Sequence, residues 1–106
     1  MKPIRIITTT VELLEDGEKI ARLMLDEKHI ACAQITGPIT SYYMWEEKQQ
    51  KSDEYLVTLK TTIEAAAAVE KRLKEIHPYE LPEILCHRDV DASDEYAGWL
   101  KEEVES

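Results

Sequence analysis

Apolar residues recur along this chain with two different periods, and the switches between them divide it into elements. Ile4 to Thr9 reads as a short buried strand, with Ile4 and Ile6 on one face and Ile7 on the other. Thr9-x-x-Glu12 fits a capping box, so a helix is expected to follow, running to about Lys28 with Leu13, Ile20, Leu23 and Met24 at helical spacing. Glu12, Glu15 and Asp16 fall in its early turns, where the helix dipole favours acids. Gly17 works against the helix by about 1 kcal/mol relative to Ala.

From Ala31 to Trp45 the β-branched and aromatic content predicts a strand, with a bulge or bend at Gly37-Pro38. The polar stretch Glu46 to Asp53 reads as a hairpin loop or as continuing strand ends, and Tyr55 to Lys60 as the next strand, its apolar residues alternating. Thr61-x-x-Glu64 is a second capping box. The helix it opens has Ala66, Val69, Leu73 and Ile76 in one apolar stripe, and Pro78 forbids its continuation. Pro78 and Pro82 bracket an irregular link. Ile84 to about Val90 is the last strand, and Ser93 caps a terminal helix that has only Tyr96, Trp99 and Leu100 to bury.

The order β-α-β-β-α-β plus a C-terminal helix predicts an α+β, ferredoxin-like sandwich as one domain over residues 1–106, with both main helices on one sheet face and the other face uncovered. The central hairpin is too long for so small a domain. Its first arm runs about 15 residues, where strands usually run about 5–6. It ends in Tyr42, Tyr43, Met44 and Trp45, apolar surface of the kind that belongs to a partner, so self-association through these residues is expected.

Composition removes several functions. A net charge of −9 with no basic cluster repels phosphate backbones, which excludes nucleic acid as a partner. The two cysteines, Cys32 and Cys86, have neither the density of a secreted disulfide scaffold nor CxxC spacing. No segment has a signal-peptide h-region or could span a bilayer. A soluble protein of the reducing cytoplasm is the expectation. No Ser/His/Asp array, Gly-rich phosphate loop or HExxH pattern occurs, so an enzyme is not expected.

Six ordered segments carry a resemblance to a known family. They are Thr8-Thr9-Thr10; Asp26 to Ala33; Ser41-Tyr42-Tyr43-Met44-Trp45-Glu46; Leu59-Lys60-Thr61-Thr62; His77-Pro78-Tyr79-Glu80-Leu81-Pro82-Glu83-Ile84; and Tyr96-x-x-Trp99-Leu100. Together they resemble the CutA divalent-cation-tolerance family. The resemblance implies a homotrimer built through the long hairpins, a non-enzymatic response to metal ions, and copper or other divalent-metal binding without an organic cofactor. It also implies likeness to nitrogen-signalling regulatory trimers, whence the alternative of a trimeric small-molecule sensor or structural adaptor.

The chain departs from the pattern at the metal positions. Where copper-binding members carry a Cys and two adjacent His, it has Thr9, Ile76 and His77. One imidazole cannot hold copper tightly. His77 is therefore a metal ligand, with Glu80 and Glu83 as oxygen donors for a harder ion, or a hydrogen-bonding group of a cleft, or else an imidazolium at a helix C-terminus. Cys86 and His87 are strand neighbours pointing to opposite faces and so make a poor pair of ligands. Cys32 reads as a buried, inert thiol. Trp45, Lys60 and Tyr79 are candidates for an inter-subunit cleft. Of these, Trp45 either stacks on a planar ligand or packs in an interface, and Lys60 beside a helix start either binds an anion or is an ordinary surface charge.

Overall fold

A computed structural model describes residues 1–104. Four strands, β1 (Lys2–Val11), β2 (Cys32–Trp45), β3 (Lys48–Thr61) and β4 (Leu85–Ala92), form one antiparallel sheet in the order β2-β3-β1-β4. The helices are α1 (Leu14–Asp26), α2 (Ala66–Ile76) and α3 (Asp94–Glu103). This is the ferredoxin-like βαββαβ arrangement with a C-terminal helix.

The core lies between the sheet and the first two helices. Ile7, Val11, Val57 and Leu59 from the sheet meet Ile20 and Met24 of α1 and Val69 and Leu73 of α2. The expected stripe on α2 is present, with Ala66 and Ile76 packed against its ends. On α1 the buried face is Gly17, Ile20 and Met24, whereas Leu13 is exposed. Gly17 is there because the helix crosses the sheet closely: a Cβ would lie 3.2 Å from Val57 Cγ2 and 3.3 Å from Val11 Cγ2.

Neither capping box forms as expected. Ladder pairing carries β1 on to Val11 opposite Tyr55, so Thr9 sits inside the strand opposite Val57 and α1 starts at Leu14. Likewise Thr61 lies in β3 opposite Arg5, and its hydroxyl donates to the His29 carbonyl at 2.6 Å. The hydroxyl that serves the start of α2 belongs to Thr62, which accepts from the Ala65 N–H at 3.1 Å. At α3 the expectation holds, since Ser93 Oγ accepts from the Tyr96 N–H at 3.3 Å.

The second sheet face is not bare. Leu100 and Val104 from the α3 end pack on Ile4, with Ile6, Val90 and Tyr96 around them, and form a second small core. Trp99 is not in it and stays exposed.

β3 begins at Lys48, well before Tyr55, and pairs with β2 all the way to Trp45↔Lys48. The turn is only Glu46-Glu47, both with positive φ (50° and 66°), as a two-residue hairpin turn with the strand twist requires. The expected bulge is real: the register shifts between Thr36 and Ile39. Gly37 has φ +153°, and a Cβ there would fall 2.8 Å from the Tyr55 ring, so only glycine fits. The hairpin extends past the helices and draws the molecule out to 45 × 25 × 21 Å.

Candidate functional site

A buried polar cluster gathers where α2 ends. Pro78 stops the helix, and His77 leaves it in an extended conformation (φ −69°, ψ 136°) that turns the imidazole back under the chain. His77 Nε2 lies 2.9 Å from the Thr10 carbonyl. A carbonyl can only accept, so Nε2 carries the proton. Nδ1 then accepts from the Tyr79 N–H at 3.0 Å. Burial pushes the His77 pKa below the usual imidazole value, against the opposing influence of the Thr10 carbonyl and the Asp16 and Glu54 carboxylates. The ring is therefore neutral, and the alternative of an imidazolium at the helix C-terminus is corrected: the side chain ties the α2 exit to β1.

Tyr79 continues the cluster. Its ring stands edge-on to His77 with centroids 4.8 Å apart, and its hydroxyl donates to Glu54 Oε2 at 2.8 Å. Burial first, and then the Glu54 hydrogen bond and carboxylates of Glu54 and Glu12, hold the phenol well above its ordinary pKa. Glu54 is itself buried, on β3 opposite Ile39 at the bulge, so the link reaches the root of the projecting hairpin. Glu54 had no signal in the sequence, because it lies in a polar run with no apolar period.

The other candidates are dispersed. With both His77 nitrogens engaged, the ring has no lone pair free for a metal in this conformation. Glu80 and Glu83 are exposed on the same link. Thr9 is fully buried with its hydroxyl unpartnered, and Ile76 packs on the core. Cys86 stands opposite Ile7 and His87 opposite Ile6, on opposite faces, and His87 Nε2 lies 3.3 Å from Thr8 Oγ1. Cys32 is half-buried beside Tyr96, whose pKa is raised by burial and by that thiol. Lys60 Nζ sits 5.9 Å over the Tyr96 ring, on the α3 side of the sheet. It pairs with Cys32 at one end of the hairpin while Trp45 occupies the other, on the order of 40 Å away, so one chain does not bring Trp45 and Lys60 together. Among the described residues no group of three or more His, Cys, Asp or Glu converges to hold a metal ion. No described helix is long and apolar enough to cross a membrane.

A ferredoxin-like chain with an overlong hairpin, whose described residues gather no metal-ligating cluster, defines the class of protein. Residues 5–103 match the CutA1 divalent ion tolerance protein family. The chain is 33% identical over 97 residues to the divalent-cation tolerance protein CutA of Thermus thermophilus, covering 92% of this chain and 94% of that one. The crystal structure of the divalent ion tolerance protein CutA1 from Ehrlichia chaffeensis superposes with a TM-score of 0.91 at 34% identity, over 97% of this chain and 96% of the other. The periplasmic divalent cation tolerance protein CutA of Archaeoglobus fulgidus superposes with a TM-score of 0.91 at 33% identity, over 96% and 99%. The chain belongs to the CutA1 divalent ion tolerance family, and it is a non-enzymatic protein of the metal-response type.

The Archaeoglobus relative corrects the expected compartment. A protein of the same fold and length is periplasmic, so a cytoplasmic assignment does not hold. That expectation rested on scarce cysteines and on finding no signal-peptide or membrane-spanning pattern, and neither fixes a compartment: two free thiols on separate strands carry no information about the redox state around them.

Proposed function

We propose that the chain works as a homotrimer that takes up divalent cations weakly at its subunit boundaries, with copper not specifically favoured. The observation that carries this reading is the hairpin tip. Tyr42, Tyr43, Met44 and Trp45 are 72%, 45%, 63% and 39% exposed, a run of large apolar side chains left in contact with solvent. Apolar surface held on a rigid two-stranded arm is what a neighbouring copy buries. The number three follows the family resemblance. Tyr43→Glu or Met44→Glu should dissociate the assembly while leaving the fold intact by circular dichroism. Sedimentation equilibrium that finds the native chain monomeric at micromolar concentration would overturn the assembly.

Metal uptake on this reading relies on oxygen donors. Glu80 and Glu83 project from the Pro78–Pro82 link, and symmetry brings further copies of such groups into reach, whereas a lone subunit lacks a converging set. Carboxylates favour hard ions and modest affinity. His77 contributes by holding the link in place. Calorimetric titration should give copper affinity in the micromolar range or weaker, further weakened by Glu80→Gln with Glu83→Gln. Nanomolar copper binding that survives both this pair and His77→Ala would place the ligands elsewhere.

A further inference from the structure

Arg22 and Arg72 are paired with carboxylates, Arg22 with Glu18 and Arg72 with Glu27 and Glu75. The remaining arginines, Arg5 and Arg88, have no carboxylate partner among the described residues, and both line one cleft. In a chain of net charge −9 this coincidence calls for a reason. The cleft lies between α2 and the β1–β4 edge and encloses about 340 Å³, within the size range of small-molecule sites. Ile7, Ile63, Ala66 and Ile84 give it an apolar lining.

The backbone explains how the two guanidinium groups meet. β1 and β4 pair in register at Ile6↔His87 and again at Ile4↔Val90, so β4 carries one extra residue between them. Such a bulge re-aims side chains. Arg5 Nη1 is held by the carbonyl oxygens of Arg88 at 3.0 Å and Ile4 at 3.3 Å, which fixes its position and leaves its other donors free. The Arg88 side chain makes no hydrogen bond or ion pair among the described residues and is exposed. Glu70, which also lines the cleft, is paired with Lys74 at 3.3 Å rather than with either arginine.

We propose that this cleft is a binding site for a small monoanion, a carboxylate carried on a compact apolar body. The planar forks of Arg5 and Arg88 match a carboxylate, and the apolar lining matches the body behind it. All of its lining residues come from one chain, and they lie apart from the hairpin tip and from the His77–Tyr79–Glu54 cluster, so it does not depend on the metal reading.

The test is a titration of the isotope-labelled full-length protein with benzoate, followed by amide chemical shifts. Millimolar benzoate should shift Ile84, Cys86, Ala66 and Ala67. Arg88→Gln should weaken binding by about tenfold, the effect of one charge-assisted contact. Ala67→Trp, which fills the cleft from an exposed helix position and keeps both arginines, should abolish it with the core resonances unmoved. Benzyl alcohol, which has the body without the charge, and inorganic phosphate, which has charge without the body, should both bind far more weakly. The proposal is overturned if benzoate shifts other residues or none, or if Arg88→Gln binds as the native chain does. It is equally overturned if either benzyl alcohol or phosphate matches benzoate.

Discussion

The two halves of the β2–β3 hairpin share one continuous ladder, yet they are held by different things. Below the Gly37 bulge, β3 presents Val57, Leu59 and Thr61 to the helices, and all three are fully buried. Above it, the same strands pair Tyr42 with Lys51, Tyr43 with Gln50 and Met44 with Gln49, and no helix lies over them. Backbone pairing alone makes a two-stranded ribbon marginal in water. The lower half therefore owes its stability to this chain's own core, and the upper half has its aromatic side chains to offer a partner. The bulge at Gly37 marks the boundary, and Glu54, which receives the Tyr79 hydroxyl, sits opposite it.

The largest effect should come from breaking the lower half. Leu73→Ala opens a cavity in the helix–sheet core, where the side chain is fully buried, and should lower stability by about 2–5 kcal/mol. Met44→Ala, measured in the dissociated chain below the assembly concentration, should change stability by less than about 0.5 kcal/mol. Urea denaturation of the two variants side by side checks the contrast. A Met44→Ala loss in the monomer that equals the Leu73→Ala loss would mean the tip is packed by its own chain.

A smaller effect should appear at the junction of the halves. In the native state His77 Nδ1 accepts from the Tyr79 N–H, which requires the neutral ring, and burial lowers its pKa, whereas the unfolded chain titrates near 6.5. A group that is neutral when folded and charged when unfolded contributes its stability above the unfolded value. That contribution is lost as pH falls from about 6.5 through the lowered folded value. Protonation would also remove the Nδ1 lone pair that accepts from the Tyr79 N–H. The stability difference between the native chain and His77→Gln should therefore shrink as pH is lowered from 7 to 5. Parallel unfolding midpoints across that range would show that the imidazole charges freely in the fold.

How much of this was legible in the sequence follows the same division. The helix-covered half was readable, because Val69 and Leu73 on α2 and Val57 and Leu59 on β3 keep strict periods set by burial. The upper half was half hidden. Lys48 to Asp53 is polar on both faces, so it shows no strand period, and Glu46-Glu47 lacks the Asn-Gly or Asp-Gly signature of its turn. Local hydroxyl patterns misled where the ladder overruled them, at Thr9 and Thr61, since a capping box is a contest between helix start and strand continuation that tertiary pairing decides. The site was legible only as residues. Tyr79 and His77 stand out around Pro78, but their partners Thr10 and Glu54 are 67 and 25 residues away in the chain, and no local pattern encodes such contacts.

Those two threonines supply the finest test of what the lower half rests on. Both are fully buried on β3 or its neighbour β1, facing the helices, and both look like cap residues in the sequence. Thr61 donates to the His29 carbonyl at 2.6 Å, while the Thr9 hydroxyl has no partner among the described residues. Valine matches threonine in shape and in strand preference, so replacing either one changes little except the hydroxyl. Thr61→Val leaves a carbonyl short of its donor and should cost about 1–2 kcal/mol. Thr9→Val removes a buried polar atom that gains nothing from the fold, and should stabilise the chain by about 1 kcal/mol. Denaturant midpoints at unchanged slope would report both shifts, of opposite sign. A loss at Thr9 as large as that at Thr61 would mean that its hydroxyl is bonded after all.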